Sequence, residues 1–384
     1  MFLLRFKLRK LRRRCRVIPR QYPTFLALFI FYVYSISNWM PEFTTSNVPL
    51  LDVVMSTRRI NLSLTEPCPT NTRATCEGCV PCPSEMFRLP GWKDCIPWLN
   101  CSEIAVQVHL RRRFTHGVTK RVWRAEWNGY DVVLIKCSSR KSKRENCVKG
   151  LTNLKLIQGE FATRVIGNCP EKFQMVTMYY KHGTLRFLDK LLRRPELFHY
   201  NNIQTRFQLC VDYVRVLAYL HNSPIGVRVM CDTPFLEKLL DQYLITDDFH
   251  LVVNDVDGLE EVTKKGACHK RPANDSLQSR MEMESQGLPT ATEPLNFQLR
   301  PAYDEKIDIW KIPWVVEKLL GSVKWSSFAK SELQEIMEKC HAVDPRQRPS
   351  ASEVLQEMLR VQELLSFWKY SSLDVEDQLN MSQN

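Results

Sequence analysis

Acidic residues are missing from the first twenty positions, which hold nine of the 54 Lys and Arg of this 384-residue chain. Without that stretch, 45 basic residues face 42 acidic ones, a net of +3 in place of +12. The body therefore lacks the cationic excess that a nucleic-acid-binding surface needs. Charge of either sign is absent between Arg20 and Glu42, where the apolar run Thr24 to Met40 is long enough to cross a bilayer. A cleaved leader competes with this reading, but no small-x-small site follows and the basic region is too long. The cationic flank then leaves the amino end in the cytosol and everything beyond Met40 lumenal or extracellular. Internal repeats are also absent. At 44% hydrophobic and 25% charged, the chain is neither disordered, collagenous nor a polytopic membrane protein.

Cysteine is plentiful. Of fourteen, Cys15 precedes the apolar run and thirteen follow it. In an oxidising lumen they suggest bridges, and their odd number leaves at least one thiol free or paired outside the chain. CEGCVPC reads alternatively as a metal knuckle, although no second cysteine pair or histidine follows at finger spacing. Sequons at Asn61, Asn100, Asn274 and Asn380 agree with a secretory route.

Residues 42 to about 66 show no sustained period and read as a linker. SEIAVQVHL, from Ser102 to Leu110, predicts a helix with Ser102 as its N-cap. VTKRVWRAEW and YDVVLIKC predict two strands joined at Asn128-Gly129, a hairpin signal. Beyond about Gly183 the pattern turns helical, most clearly over Arg206 to His221, where Leu209, Tyr213, Val216, Leu217 and Leu220 recur at three- and four-residue spacing. YLIT and FHLVVND interrupt the helices as short strands. A small sheet-rich part and a larger helical part predict an α+β architecture of two lobes with a cleft between them. The polar segment from Thr263 to Pro294 reads as a long loop.

The stretches AYLHNSPIGVRVMCD, QYLITDDFHLVVNDVDG, YDEKIDIWKIP and DPRQRPSASEVLQ resemble, in order, the carboxy-terminal lobe of a protein kinase. More narrowly, RVMCD, NDVDG, YDEKIDIWKIP and CPSEMFRLPGWKDCIPWLNC are similar to the protein O-mannose kinase family, a secretory-pathway branch of that superfamily with one amino-terminal anchor. The resemblance spans about residues 80 to 365. It implies a bilobal protein-kinase-like fold preceded by a transmembrane helix. The expected order is a cytoplasmic tail (1–20), signal anchor (21–41), lumenal stem (42–80), kinase-like domain (81–368) and tail (369–384). Within the domain the N-lobe covers about 102–180 and the C-lobe about 181–368.

Phosphoryl transfer needs clamped phosphates, divalent ions on oxygen ligands, and a carboxylate that aligns the attacking hydroxyl. The kinase pattern places that carboxylate at Asp232 in Met230-Cys231-Asp232, and the main metal ligand at Asp255 in NDVDG. Glu237 stands where the metal amide would be. Gln242, just before YLIT and thirteen residues before Asp255, is the better match, so an insertion falls between Asp232 and Gln242. A carboxamide oxygen suits Mg2+ or Mn2+. Asp257, in the glycine place of D-F-G, adds a further carboxylate near the cleft.

The nucleotide side departs from ordinary kinases. THGVTKRV keeps only Gly117 of the usual three glycines. The family pattern puts Lys120 in the third glycine place and Val122 over the adenine, with Val133 also binding nucleotide. The usual β-strand lysine slot holds Ile135, and alternation points Lys136 away from the site. Lys120 is thus the expected phosphate clamp and Glu145 its expected ion-pair partner. Thr177 is the expected gatekeeper, Met178 to Tyr180 offer backbone bonds to adenine, and Gly183 permits the turn away. Asp308 matches the helix Asp that accepts from the catalytic loop. Arg348 matches the Arg that pairs with the Glu of A-P-E, which is missing here; Glu293 is its nearest substitute. The resemblance implies an ATP-dependent kinase of the endoplasmic reticulum membrane. Its acceptor would be the 6-hydroxyl of mannose in the O-linked GalNAc-GlcNAc-mannose trisaccharide of alpha-dystroglycan. A pseudokinase that binds a glycan or protein, and a lumenal Ser/Thr kinase, are the alternatives.

Overall fold

The computed structural model describes residues 72–75, 78–116, 119–223, 225–231, 233, 235–264, 266–268 and 304–381, all within one compact unit, Pro67–Asn384. The expected anchor and the linker lie outside the described residues. So do Gly117, Asp232 and Glu293. Among the described residues no helix is long and apolar enough to cross a membrane.

The body is mixed α/β, a five-stranded antiparallel sheet followed by a helix-rich part. The sheet consists of β1 (His109–His116), β2 (Lys120–Trp127), β3 (Tyr130–Cys137), β4 (Val165–Cys169) and β5 (Gln174–Met178), in spatial order β1-β2-β3-β5-β4. Asn128 and Gly129 both adopt positive φ, 48° and 78°, the geometry that a two-residue hairpin between right-twisted strands requires. Ahead of the sheet lies α1 (Cys101–Gln107). Its N-cap is Asn100, whose side chain accepts from the amides of Ser102 and Glu103, while the Glu103 carboxylate accepts from the Asn100 amide. The predicted cap at Ser102 is corrected by two residues. The predicted helix to Leu110 is also shortened, because His109 onward alternates as strand β1 against β2.

Register divides the sheet into two chemically distinct faces. Lys120 opposes Cys137, Val122 opposes Ile135, Arg124 opposes Val133, and Val133 and Ile135 oppose Thr177 and Met175. Paired residues share a face, so these form one side. Ala125, Val132, Leu134 and Val176 form the other. They pack with Phe87, Leu89, Leu99 and Ile104 from the segment preceding the sheet. Trp92, Trp127 and Tyr130 cluster there too, with the Trp92 indole donating to the Tyr130 hydroxyl at 2.7 Å. Residues 86–104 are therefore an integral wall of the β-rich part.

Helix α2 (Lys141–Leu156) follows β3 and is tied to it by a disulfide between Cys137 and Cys147. The helix-rich part is built on α3 (Ile203–His221), capped by the Asn202 side chain on the Thr205 amide. Leu209, Tyr213, Val216, Leu217 and Leu220 are all at most 1% exposed. Around α3 pack α4 (Leu236–Leu240), α5 (Lys306–Leu320), α6 (Ser326–Glu332), α7 (Gln334–Cys340) and α8 (Ala351–Met381). The domain boundary expected at 368 falls inside α8. Short strands β6 (Arg228–Met230) and β9 (Leu259–Glu261) pair with each other, as do β7 (Tyr243–Ile245) and β8 (Leu251–Val253).

Disulfides join Cys82 to Cys95, Cys101 to Cys169 and Cys231 to Cys268 as well. Cys82 is thus bridged rather than metal-bound, which corrects the knuckle reading at that residue. Cys210 and Cys340 are free and buried, and burial pushes both thiols up, Cys340 to about 12. Neither is a reactive thiolate.

Phe87, at 1% exposed, is a sharp probe of the wall beneath the sheet. Phe87→Ala should lower the unfolding free energy in urea by about 3–5 kcal/mol. A loss below about 0.5 kcal/mol, the range of surface substitutions, would show that residues 86–104 are an appendage.

Candidate active site

The chain after β8 turns through Asn254, Asp255, Val256 and Asp257 before entering β9, and three constraints hold this turn. The Asn254 amide donates to the Gln242 carbonyl at 2.8 Å. From α2, the buried Asn153 side chain donates to the carbonyls of Val256 and Leu259, both at 3.0 Å. From the other side, the Cys231 amide donates to the Gly258 carbonyl at 3.0 Å. The turn is thereby fixed between the sheet-linked helix and the loop that follows β6.

Those constraints aim two carboxylates at one amine. Lys120, from the near end of β2, donates to Asp255 Oδ1 at 2.7 Å and to Asp257 Oδ1 at 3.1 Å. The three side chains are 22%, 22% and 18% exposed, so the contacts are sheltered from solvent screening. At such distances an effective dielectric of about 20 gives roughly 5–6 kcal/mol of attraction per pair before desolvation is deducted. Lys238 from α4 lies 3.5 Å from Asp255 Oδ2, making a cluster of two lysines and two aspartates. Burial pulls the Lys120 ammonium down, but the two aspartates outweigh it and leave it raised. Burial raises Asp255 as well, yet Lys120 and Lys238 hold it below the usual carboxylate range. Asp257 goes the other way. Burial and the like charge of Asp255 overcome the pull of Lys120 and push it up to about 6.

Glu145 is not the partner of Lys120. It sits on the exposed side of α2, and Asp257 occupies the place expected for it. The inward side of α2 instead presents Gly150, where an added Cβ would fall 1.9 Å from Asp257 Oδ1 and 3.1 Å from its Cα. Absence of a side chain on α2 is what admits the carboxylate from the turn. An isolated glycine in a helix, at a cost of about 1 kcal/mol against alanine, was the available sequence signal for this close approach.

Val122, Val133 and Ile135 lie on the same face of the sheet as Lys120, whereas Lys136 lies on the other face and is exposed. Ile135 is 8% exposed, apolar, and occupies the slot where a kinase lysine would stand. Thr177 is buried on the Lys120 face as well. Met178 donates its amide to the Arg164 carbonyl at 2.9 Å, leaving only its carbonyl to be offered to a base. Gly183, with φ of 74°, lets the chain turn back, its amide bonded to the Tyr180 carbonyl at 3.2 Å.

The donor set also suits a divalent ion. Gln242 is 1% exposed and gives its amide nitrogen to the Lys238 carbonyl at 2.8 Å, while its Oε1 is buried without a hydrogen-bond partner. A buried acceptor left unsatisfied costs about 1–3 kcal/mol. A hard cation shared with Asp255 would satisfy it, and both ligands are oxygens of the kind Mg2+ and Mn2+ prefer.

Asp232 lies outside the described residues, but its flanks are held firmly. Asp308, 1% exposed, accepts from the Met230 amide at 3.2 Å and from Lys311 Nζ at 3.1 Å, with His221 Nε2 at 3.5 Å. Burial alone would raise this carboxyl; Lys311 and His221 hold it low. Lys311 also donates to the Met230 carbonyl and to the Thr233 hydroxyl, so a buried ammonium braces both sides of position 232. Sequence reasoning missed Lys311, whose i,i+3 spacing from Asp308 on one helix face was the legible clue. Among the described residues Arg348 pairs with no glutamate. Its guanidinium donates to the carbonyls of Ala342 and Lys306 at 2.9 and 3.2 Å and lies over the Trp310 ring.

Comparison with known proteins places this arrangement among named relatives. No family model matches the chain. The chain is 37% identical over 285 residues to "Protein O-mannose kinase" of Gallus gallus, covering 74% of this chain and 80% of that protein. The proteins of that name from Xenopus laevis and Homo sapiens are each 35% identical over 285 residues, covering 74% of this chain and 81% of theirs.

Two measurements probe the cluster. Gly150→Val should expel Asp257 and weaken nucleotide binding at least tenfold by calorimetry, while circular dichroism shows a folded protein; unchanged affinity would refute the close approach. With Asp257 titrating near 6, acidification from pH 7 to pH 5 should neutralise it and loosen Lys120. Nucleotide affinity should therefore fall more steeply across that window in the parent chain than in Asp257→Asn, where only the nucleotide's own phosphate titrates.

Proposed function

The chain belongs to the protein O-mannose kinase family, and from that premise we propose that it transfers the terminal phosphate of ATP to the 6-hydroxyl of O-linked mannose. The acceptor proposed is the GalNAc-GlcNAc-mannose trisaccharide of alpha-dystroglycan. The enzyme is a kinase, a phosphotransferase with ATP as donor, and its relatives carry that activity in their names. The observation that carries the chemical reading is the meeting of Lys120, Asp255 and Asp257, together with the partnerless side-chain oxygen of Gln242, whose backbone carbonyl holds the turn at Asn254.

In this reading the fold is a bilobal protein-kinase-like one, with the sheet as its N-lobe. Lys120 clamps the phosphates, and Asp257 holds that lysine in the office that a helix glutamate usually fills. Val122 and Val133, facing the same way, sandwich the adenine, and Met178 and Tyr180 read its edge from the backbone. Asp255 and Gln242 are the side chains that would hold Mg2+ or Mn2+, which when bound screens the phosphate charge and orients the transferred group. Asp232, on the loop braced by Asp308 and Lys311, orients the sugar hydroxyl and accepts its proton late, since the transition state is loose. Lys238 offers a second cation on the far side of Asp255.

Single-pass type II insertion in the endoplasmic reticulum membrane, with the 1–20 tail cytosolic and the stem and kinase domain lumenal, completes the proposal. The basic flank and apolar run support it, and four disulfides among the described residues support an oxidising compartment. A pseudokinase is disfavoured by relatives named as kinases.

Mass spectrometry of the purified chain incubated with ATP, divalent metal and the trisaccharide should show one added phosphate per mannose. Asp232→Asn and Asp255→Asn should each abolish it. Lys120→Ala should raise KM for ATP at least tenfold, and Lys136→Ala should leave it unchanged. Phosphorylation of serine peptides in place of the trisaccharide would overturn the acceptor assignment.

A further inference from the structure

A second cavity, of about 700 Å³, lies on the opposite side of the sheet from Lys120. Met178 lines it, and by strand alternation Met178 faces away from Thr177, Val133 and Lys120. None of Lys120, Asp255, Asp257 or Gln242 contributes to its wall. Its walls come from the loop before β4, the turn between β7 and β8, the α3 side chains Asp212 and Arg215, and Arg88.

Arg164 is the anomaly in this cavity. It is 4% exposed, its Nε has no hydrogen-bond partner, and its Nη1 meets only the Met178 sulfur, at 3.8 Å. Arg88, itself 6% exposed, stands in the same wall and donates to the Trp92 carbonyl at 3.0 Å. Three acids of the cavity are engaged elsewhere, and the fourth, Glu160, forms no ion pair among the described residues. Asp212 holds His250 Nδ1 at 2.7 Å and Arg215 at 3.4 Å, Asp247 holds Lys181 at 3.2 Å, and Asp248 accepts from the Thr246 hydroxyl at 2.5 Å. Among the described residues, no carboxylate forms an ion pair with Arg164.

A buried guanidinium without a counter-charge is expensive, and arginine has little access to relief by deprotonation. Burial and the neighbouring Arg88 do lower its proton affinity, which marks the strain rather than removes it. What relieves it is an oxyanion, whose paired oxygens match the fork of donors that guanidinium presents. Asp247, Asp248 and His250 on the same wall can accept or donate to hydroxyls, and Phe161 and Tyr180 supply flat apolar surface. The volume falls in the range of small-ligand sites, roughly 300–1,000 Å³.

We infer that this cavity binds a sugar-sized ligand carrying one oxyanion, a phosphate or a carboxylate, with Arg164 and Arg88 as its anion receptor. The cavity shares Met178 and Tyr180 with the proposed adenine-binding segment but none of the phosphate- or metal-binding side chains, and its occupancy is tested without reference to the kinase reading.

Calorimetry of the purified full-length chain with inorganic phosphate, glucose 6-phosphate, glucuronic acid and neutral glucose tests it. At least one charged sugar should bind with Kd below about 1 mM, near −4 kcal/mol, and at least tenfold more tightly than glucose. Preference for glucose 6-phosphate or for glucuronic acid identifies the anion. Arg164→Gln should cost at least tenfold, Arg164→Lys less, and Asp255→Asn nothing. Should Arg164→Gln fail to fold, Arg88→Gln is expected to show the same loss. Absence of binding by every charged probe at 10 mM (about ten times the expected Kd), equal affinity for glucose, affinity unaltered by the arginine variants, or loss of binding in Asp255→Asn would each overturn the inference.

Discussion

One ammonium group with two carboxylates organises the candidate active site. Lys120 arrives on a strand and Asp255 and Asp257 on a turn of the helix-rich part, so their contacts join residues 135 and 137 positions apart. In a sheltered setting such an arrangement is stable only when the charges balance, because each unpaired ion would bear its full desolvation cost. The cluster fulfils this with Lys238 as the second cation. It also explains the buried Ile135: with the amine of the cluster supplied from β2, the neighbouring strand is free to carry an apolar side chain.

Transfer of the lysine to a new strand obliges its partner to move as well. An acid on α2 would approach from the helix side, yet Lys120 approaches close to the turn after β8. The acid therefore comes from the turn itself, and α2 yields space through Gly150 while holding the turn through Asn153. The Cys137–Cys147 bridge fastens the same helix to the sheet. Three departures from the ordinary kinase pattern, at Ile135, at the acid expected on α2 and at Asp257, are thus one coupled rearrangement.

The helix-rich part follows a more conservative logic. Asp308 and Lys311 brace the loop around position 232 from one helix face, and the Cys231–Cys268 bridge pins its edge to the chain after β9. Arg348 shows what a buried guanidinium can use besides an acid: backbone carbonyls and the Trp310 ring receive it. Arg164 has no such substitute, and that contrast within one molecule is what makes its cavity chemically conspicuous.

Local pattern alone determined the elements whose periodicity is strong. The helix over Arg206 to His221 and the Asn128-Gly129 hairpin are written in spacing and turn chemistry, whereas the order of kinase-like segments came from their resemblance to a known family. Ser102 to Leu110 misled because a short apolar run fits helix and strand alike, and only pairing with β2 decides between them. Glu145 misled for a related reason, since a helix position says which face a side chain takes but not what stands opposite. Lys120 was legible because alternation fixes its face. Its partnership with Asp257, the orphaned Gln242 oxygen and the bare guanidinium of Arg164 were not, for each depends on which distant groups are brought within a few ångströms, and contact at that range is settled by packing rather than by neighbours along the chain.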